Sequence, residues 1–199
     1  CKHFNLATDK PMIFIMGGSL GAHSINEAVK NLLAHYSSMR EGKTSLPYSI
    51  IWQCGSRFFD DSSKWLNDFG KKNPDLASSV KCFGFIDRMD LAYAAADIIA
   101  SRAGAMSISE LALVAKPTLL IPSPHVSEDH QKKNALSLVE RGASVFIEDH
   151  EVVEKLRIEI ESLLSDKNTC KEMESALKAA SRPDASIKIV DEIEKLLKL

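Results

Sequence analysis

The sequence predicts an α/β fold, a three-layer domain whose central six-stranded sheet is parallel and covered by helices on both faces. Three observations predict it. Short apolar runs alternate with segments of helical periodicity, as in βα units. The runs are continuously apolar rather than alternating, as strands buried on both faces require. Loops rich in Gly and Ala lie where a run hands over to a helix, the crevice side on which open parallel sheets bind ligands.

The candidate strands are Met12–Met16, Ser49–Gln53, Val80–Phe83, Asp97–Ser101, Pro117–Ile121 and Ala143–Ile147. After the first, Ile25, Ala28, Val29, Leu32, Leu33 and Tyr36 recur at helical spacing, so one stripe of that helix packs on the sheet. Further helices are expected at Phe58–Phe69, Met89–Ala95, Ser107–Val114, Glu128–Arg141 and Val152–Leu164. Two charged, amphipathic segments, Lys171–Ala180 and Ala185–Leu197, close the chain and are expected to lie across the outside of the sheet. Pro183 separates them, because the residue before a proline is disfavoured in a helix. Arg40–Pro47 and Lys71–Ser79 read as surface loops.

The 199 residues are 45% hydrophobic and 26% charged, an ordinary balance for a globular protein. With 25 Lys and Arg against 27 Asp and Glu, the chain lacks the positive field that phosphate-driven nucleic-acid binding needs. Four cysteines, Cys1, Cys54, Cys82 and Cys170, form no C-x-x-C pair and no zinc spacing, and read as reduced thiols. No apolar run is long enough to cross a bilayer. The chain starts without Met, and Cys1 to Lys10 reads as the tail of an earlier helix and linker, so it is expected to be a piece of a longer protein.

Four loops can carry chemistry. Gly17-Gly18-Ser19-Leu20-Gly21-Ala22 joins a strand to a helix, where small residues let backbone N–H groups approach an anion. It fits no G-x-G-x-x-G register, the second strand ends in Gln53-Cys54 without a ribose-holding acid, and no P-loop motif is present. A plain tight turn explains it equally well. Arg102-Ala103-Gly104-Ala105-Met106-Ser107-Ile108-Ser109-Glu110 repeats the pattern. There the N–H groups of Ala105 to Ser107 would face a diphosphate, and Glu110 could accept hydrogen bonds from a ribose diol. Ser107-x-x-Glu110 also fits a capping box, in which Glu110 only returns to the backbone.

In Ser127 to Asn134, Gln131, Asn134, Ala135 and Leu138 share one helical face, and its first turn carries amides with His130 beside them. Amides both donate and accept, as recognition of sugar hydroxyls requires; the same turn could simply rise into water. In Phe83-Gly84-Phe85-Ile86-Asp87 an apolar pair could carry a flat base while the Ile86 backbone reads its edge. Phe85 fits a core position as well, and Asp87 an N-cap.

Together, in this order and spacing, these loops and Pro183-Asp184-Ala185 resemble the C-terminal half of the bacterial UDP-N-acetylglucosamine:lipid I transferases, over Pro11 to Leu199. The resemblance implies half of a GT-B glycosyltransferase of two Rossmann-like domains. Residues 1–10 would end an interdomain linker and 11–199 would form the UDP-GlcNAc-binding domain, the acceptor domain lying elsewhere. It implies uracil at the backbone of Ile86 beside Phe85, ribose on Glu110, and diphosphate at Gly18, Ser19, Cys54, Gly104, Ala105, Met106 and Ser107. His130, Gln131 and Asn134 would meet diphosphate and GlcNAc hydroxyls. Cys54 stands where the family carries Ser or Thr, and His23 where it often carries Arg.

The resemblance further implies transfer of GlcNAc to lipid I with inversion, giving lipid II, with no metal or other cofactor. The chain alone is expected to be inactive, because the general base belongs to the other half. It is expected in the cytoplasm, with the whole protein peripheral on the inner membrane. Two alternatives stand beside this reading: a donor-binding subunit docking to a separate membrane partner, and a UDP-GlcNAc 2-epimerase, which would release UDP-ManNAc without an acceptor.

Overall fold

The computed structural model describes residues 2–39, 45–124 and 130–197. It contains a six-stranded sheet, all neighbours parallel, in the order β3-β2-β1-β4-β5-β6. The strands are β1 (Met12–Met16), β2 (Ser49–Gln53), β3 (Val80–Phe83), β4 (Ile98–Ser101), β5 (Thr118–Leu120) and β6 (Val145–Phe146). β1 and β2 are buried along their whole length, which is why their sequences show no alternation. At one edge, β6 is short and half-buried.

The helices are α1 (His23–Ser38), α2 (Phe59–Lys72), α3 (Pro74–Ser78), α4 (Met89–Ala95), α5 (Ala105–Val114), α6 (His130–Val139), α7 (Val152–Ser165), α8 (Lys167–Ala180) and α9 (Ala185–Leu197). The chain moves one way across the sheet from β1 to β3 and the other way from β4 to β6. Right-handed crossovers therefore put α1 and α5 on opposite faces. Accordingly α1 packs against α7 and α3, while α5 packs against α6 and α8. Among the described residues no helix is long and apolar enough to cross a membrane.

Three expectations are corrected. Lys71–Ser79 is not a loop: α2 runs on to Lys72, and Pro74 then opens α3, which buries Leu76. Proline suits a first helical position because its missing N–H would have no partner there. Next, α8 starts four residues before the expected Lys171, because the Asp166 carboxylate caps it, accepting from the N–H groups of Asn168 and Thr169 at 3.1 and 3.0 Å. Finally, α9 does not lie on the sheet. None of its residues is buried, and Ile187, Ile189, Val190, Ile193, Leu196 and Leu197 are all exposed. Cys1, residues 40–44 of the loop expected at Arg40–Pro47, and the expected helix start at Glu128 lie outside the described residues.

The polar centre of the core is Asn26 on α1. Its amide donates to the Cys54 carbonyl at 3.0 Å and accepts from the Trp52 indole N–H at 2.9 Å, all three residues being buried. One side chain thus ties the start of α1 to the end of β2. Replacing Asn26 by Ala leaves a buried donor and a buried acceptor unpaired, at roughly 1–3 kcal/mol each. The Asn26→Ala variant should therefore lose about 2–6 kcal/mol of stability in urea denaturation.

All three tyrosines resist ionisation. Burial, followed by the hydrogen bond donated to Glu161, raises Tyr36 to about 12. Burial raises Tyr48 and Tyr93 further. Because these values lie above the unfolded one, the stability they contribute is intact below about pH 10 and drains as pH rises beyond it. Absorbance at 295 nm should stay flat through pH 10 and rise only together with alkaline unfolding.

Candidate functional site

The direction of the chain across the sheet reverses between β1 and β4, and the loops leaving these two strands open into one crevice. The β1 loop is held from below and from the side. The Gly17 N–H donates to the Gln53 carbonyl at 3.3 Å, the Gly21 N–H to the Gly18 carbonyl at 3.1 Å, and the Ser56 N–H to the Ser19 carbonyl at 3.2 Å. Gly18 and Gly21 adopt φ of +86° and +83°, where a side chain is strained. Gly21 also touches the β2 loop: a Cβ there would fall 2.1 Å from the Cys54 carbonyl oxygen, and one on Gly55 would fall 2.2 Å from the Gly21 Cα.

Beyond this loop, α1 begins with no side-chain cap. Its first internal bond is Asn26 N–H to Ala22 C=O at 3.0 Å, so the N–H groups of His23 to Ile25 have no intrahelical partner. Across the crevice α5 begins in the same way. Gly104 occupies its N-cap without a side-chain bond, and Ile108 is the first residue to bond back, to Gly104 at 2.9 Å. The N–H groups of Ala105, Met106 and Ser107 have no intrahelical partner, and beside them are a half-buried Ser107 hydroxyl and a Met106 that is 80% exposed.

This helix start decides the double reading of Glu110. Because α5 starts at Ala105, Ser107 is already inside the helix and no capping box forms. Glu110 instead accepts a hydrogen bond from the Tyr93 hydroxyl of α4 at 2.8 Å. Tyr93 is buried, and this bond, after burial itself, raises its pKa. Glu110 is exposed and borders a cavity of ≈500 Å³ between α4 and α5, walled by Met89, Tyr93, Leu113 and Lys116.

The β3 loop precedes α4. There Ile86 is buried and Phe85 is 57% exposed, and the Ile86 backbone makes no hydrogen bond among the described residues. On α6, Gln131 accepts from the Ser123 N–H at 2.9 Å, and Asn134 donates to the Ala103 carbonyl at 3.2 Å. Each amide steadies a loop of the crevice with one of its ends. His130 opens α6, and Ser127 to Asp129 lie outside the described residues.

Cys54 lies buried at the end of β2. Its side chain has no exposed surface, and its thiol turns inward to the Phe83 carbonyl at 3.2 Å, with the Cys82 sulfur at 3.6 Å. The Cys82 thiol donates to Cys54, which holds the Cys54 pKa down and pushes its own up. The Cys54 N–H and C=O are also taken, by Phe83 and Asn26, so every polar group of this residue is engaged within the protein.

Sequence reasoning missed Tyr93, whose periodicity marks it only as a core position. It also missed a network around Arg102: this guanidinium, Asp149 and Ser24 are bonded to one another where the loops meet. Only the placement of Arg102 at a strand end hinted at it.

Comparison with known proteins adds the family. The model of the glycosyltransferase family 28 C-terminal domain matches residues 12–189. The UDP-N-acetylglucosamine–N-acetylmuramyl-(pentapeptide) pyrophosphoryl-undecaprenol N-acetylglucosamine transferase of Flavobacterium psychrophilum is 41% identical over 195 residues, 98% of this chain and 49% of the relative. The enzyme of the same description from Christiangramia forsetii is 40% identical, with 98% and 49% covered. Among solved structures, MurG of Acinetobacter baumannii superposes with a TM-score of 0.75 at 28% identity, over 95% of this chain and 51% of that one. The chain thus spans about half the length of these relatives.

The two positive-φ glycines of the β1 loop separate backbone strain from contact. Gly18→Ala meets no atom within 4 Å and should cost only about 1–2 kcal/mol. Gly21→Ala adds a collision with the β2 loop. In parallel urea titrations it should be the more destabilising of the two by at least ~2 kcal/mol.

Proposed function

The chain belongs to the glycosyltransferase family 28 C-terminal domain family, and from that premise we propose that it is the UDP-GlcNAc-binding half of an enzyme that transfers GlcNAc to lipid I, yielding lipid II. The observation that carries this reading is the exposed Glu110 carboxylate, held by Tyr93 on the same helix whose first-turn N–H groups are unpaired. A carboxylate accepts both hydrogens of a vicinal diol, and a helix N-terminus favours a phosphate, so the pair suits a nucleoside diphosphate.

In this reading uracil rests by Phe85 and bonds the Ile86 backbone, while Glu110 holds the ribose. Gly18, Ser19, Gly104, Ala105, Met106 and Ser107 surround the diphosphate, and His130, Gln131 and Asn134 face phosphate and sugar hydroxyls. The free ends of the two amides, Nε2 of Gln131 and Oδ1 of Asn134, supply a donor and an acceptor.

The acceptor hydroxyl attacks the anomeric carbon as the bond to the UDP oxygen breaks, with inversion. Its proton passes to a base in the other half of the enzyme. Negative charge grows on the departing diphosphate, and fixed N–H groups of α1 and α5 stabilise it without reorganising, which is where this domain lowers the barrier. The acceptor domain would be the partner of residues 11–199, with residues 1–10 leading into it. A protein twice this length also offers a cover for the exposed apolar residues of α9. The whole enzyme would work in the cytoplasm, against the inner membrane that carries lipid I.

Calorimetric titration tests this. UDP-GlcNAc should bind, ADP and NAD should not, and Glu110→Ala should weaken binding roughly ten- to a hundredfold, the loss of charged hydrogen bonds. Equal binding of ADP, or an unchanged Glu110→Ala variant, would sink the assignment. The chain alone should make no lipid II from lipid I, and UDP-ManNAc in the mixture would favour the epimerase instead.

A further inference from the structure

We propose that Asp149 is a positioning residue of the diphosphate site, acting through Arg102 and Ser24 to fix the two helix N-termini relative to each other. This rests on the donor-binding reading above.

Arg102 leaves the end of β4 three residues before α5 begins, yet its side chain is only 13% exposed. Its Nη1 donates to the carbonyls of Ile121 and Pro122 at 3.1 and 3.0 Å and to Oδ1 of Asp149 at 2.5 Å. Its Nη2 donates to the Ser24 hydroxyl at 3.1 Å, and that hydroxyl donates in turn to the same Asp149 Oδ1 at 2.6 Å. Ser24 is the second residue of α1. One carboxylate oxygen therefore closes a ring of bonds that runs from the first turn of α1 to the loop that launches α5.

The ring matters because α1 and α5 lie on opposite faces of the sheet and each would offer N–H groups to one diphosphate. Hydrogen bonds weaken steeply outside a narrow range of distance and angle, so both sets serve one ligand only if the spacing of the helix starts is held. Asp149 also decides what Arg102 is. Paired to a carboxylate and two carbonyls, the guanidinium is a fixed strut; unpaired, it would be a nearby positive charge for the ligand.

The two roles predict opposite signs for one substitution. Asp149→Asn removes the counter-charge and weakens the ring. If Arg102 acts as a strut, UDP should bind roughly tenfold more weakly, while uridine, which lacks phosphates, stays within about twofold. Ser24→Ala, which removes the hydroxyl arm alone, should weaken UDP by roughly threefold with uridine again unchanged. Affinities for both ligands, measured by ligand-observed NMR on the chain, give the answer. Tighter UDP binding by Asp149→Asn, or losses equal for uridine and UDP in a folded variant, would overturn the proposal. If Asp149→Asn fails to fold, as loss of both ligands and of its circular dichroism would reveal, Ser24→Ala decides by the same criterion. If the unsubstituted chain binds no UDP, the donor-binding reading fails instead.

Discussion

Parallel pairing is the constraint from which the rest of this structure follows. A parallel strand cannot be reached by a hairpin, so each connection must return the chain to the opposite end of the sheet, and a helix is the compact way to do so. All strand ends of one kind then lie along one edge. Reversing direction between β1 and β4 parts the two loops on that edge and sends their helices to opposite faces. The crevice, the paired helix starts and the need to hold them at a set spacing all descend from that reversal.

Much of the fold was legible because burial on both faces leaves a strong mark. β1, β2 and β3 lie where their apolar runs lie, and the apolar stripe Ile25, Ala28, Val29, Leu32, Leu33, Tyr36 is the buried face of α1. Helix ends were less legible, for local reasons. The capping side chain of Asp166 moved one start, and Gly104, a residue with no side chain to cap, moved another. The second shift changes the chemistry, since it takes Glu110 away from the backbone and leaves it bonded to Tyr93 beside the cavity between α4 and α5.

The site was legible where backbone carries it and obscure where side chains from distant segments meet. Small residues after β1 and β4 announce exposed N–H groups directly. Tyr93 and Glu110 are 17 residues apart, and Arg102 and Asp149 are 47 apart; no periodicity links either pair. The burial of Cys54 was obscure for a different reason: its place at a strand end suggests an open loop, but a thiol prefers burial, and the side chain has no exposed surface.

The bare apolar stripe of α9 has a thermodynamic consequence. An isolated helix of 13 residues is marginal in water, since its few hydrogen bonds scarcely offset the ordering of its backbone. The cooperative folding unit of this domain therefore ends with α8, where Met173 and Leu177 reach the core. The order of α9 belongs to a separate equilibrium from that of the core, so its amides exchange with solvent far faster than those of α8.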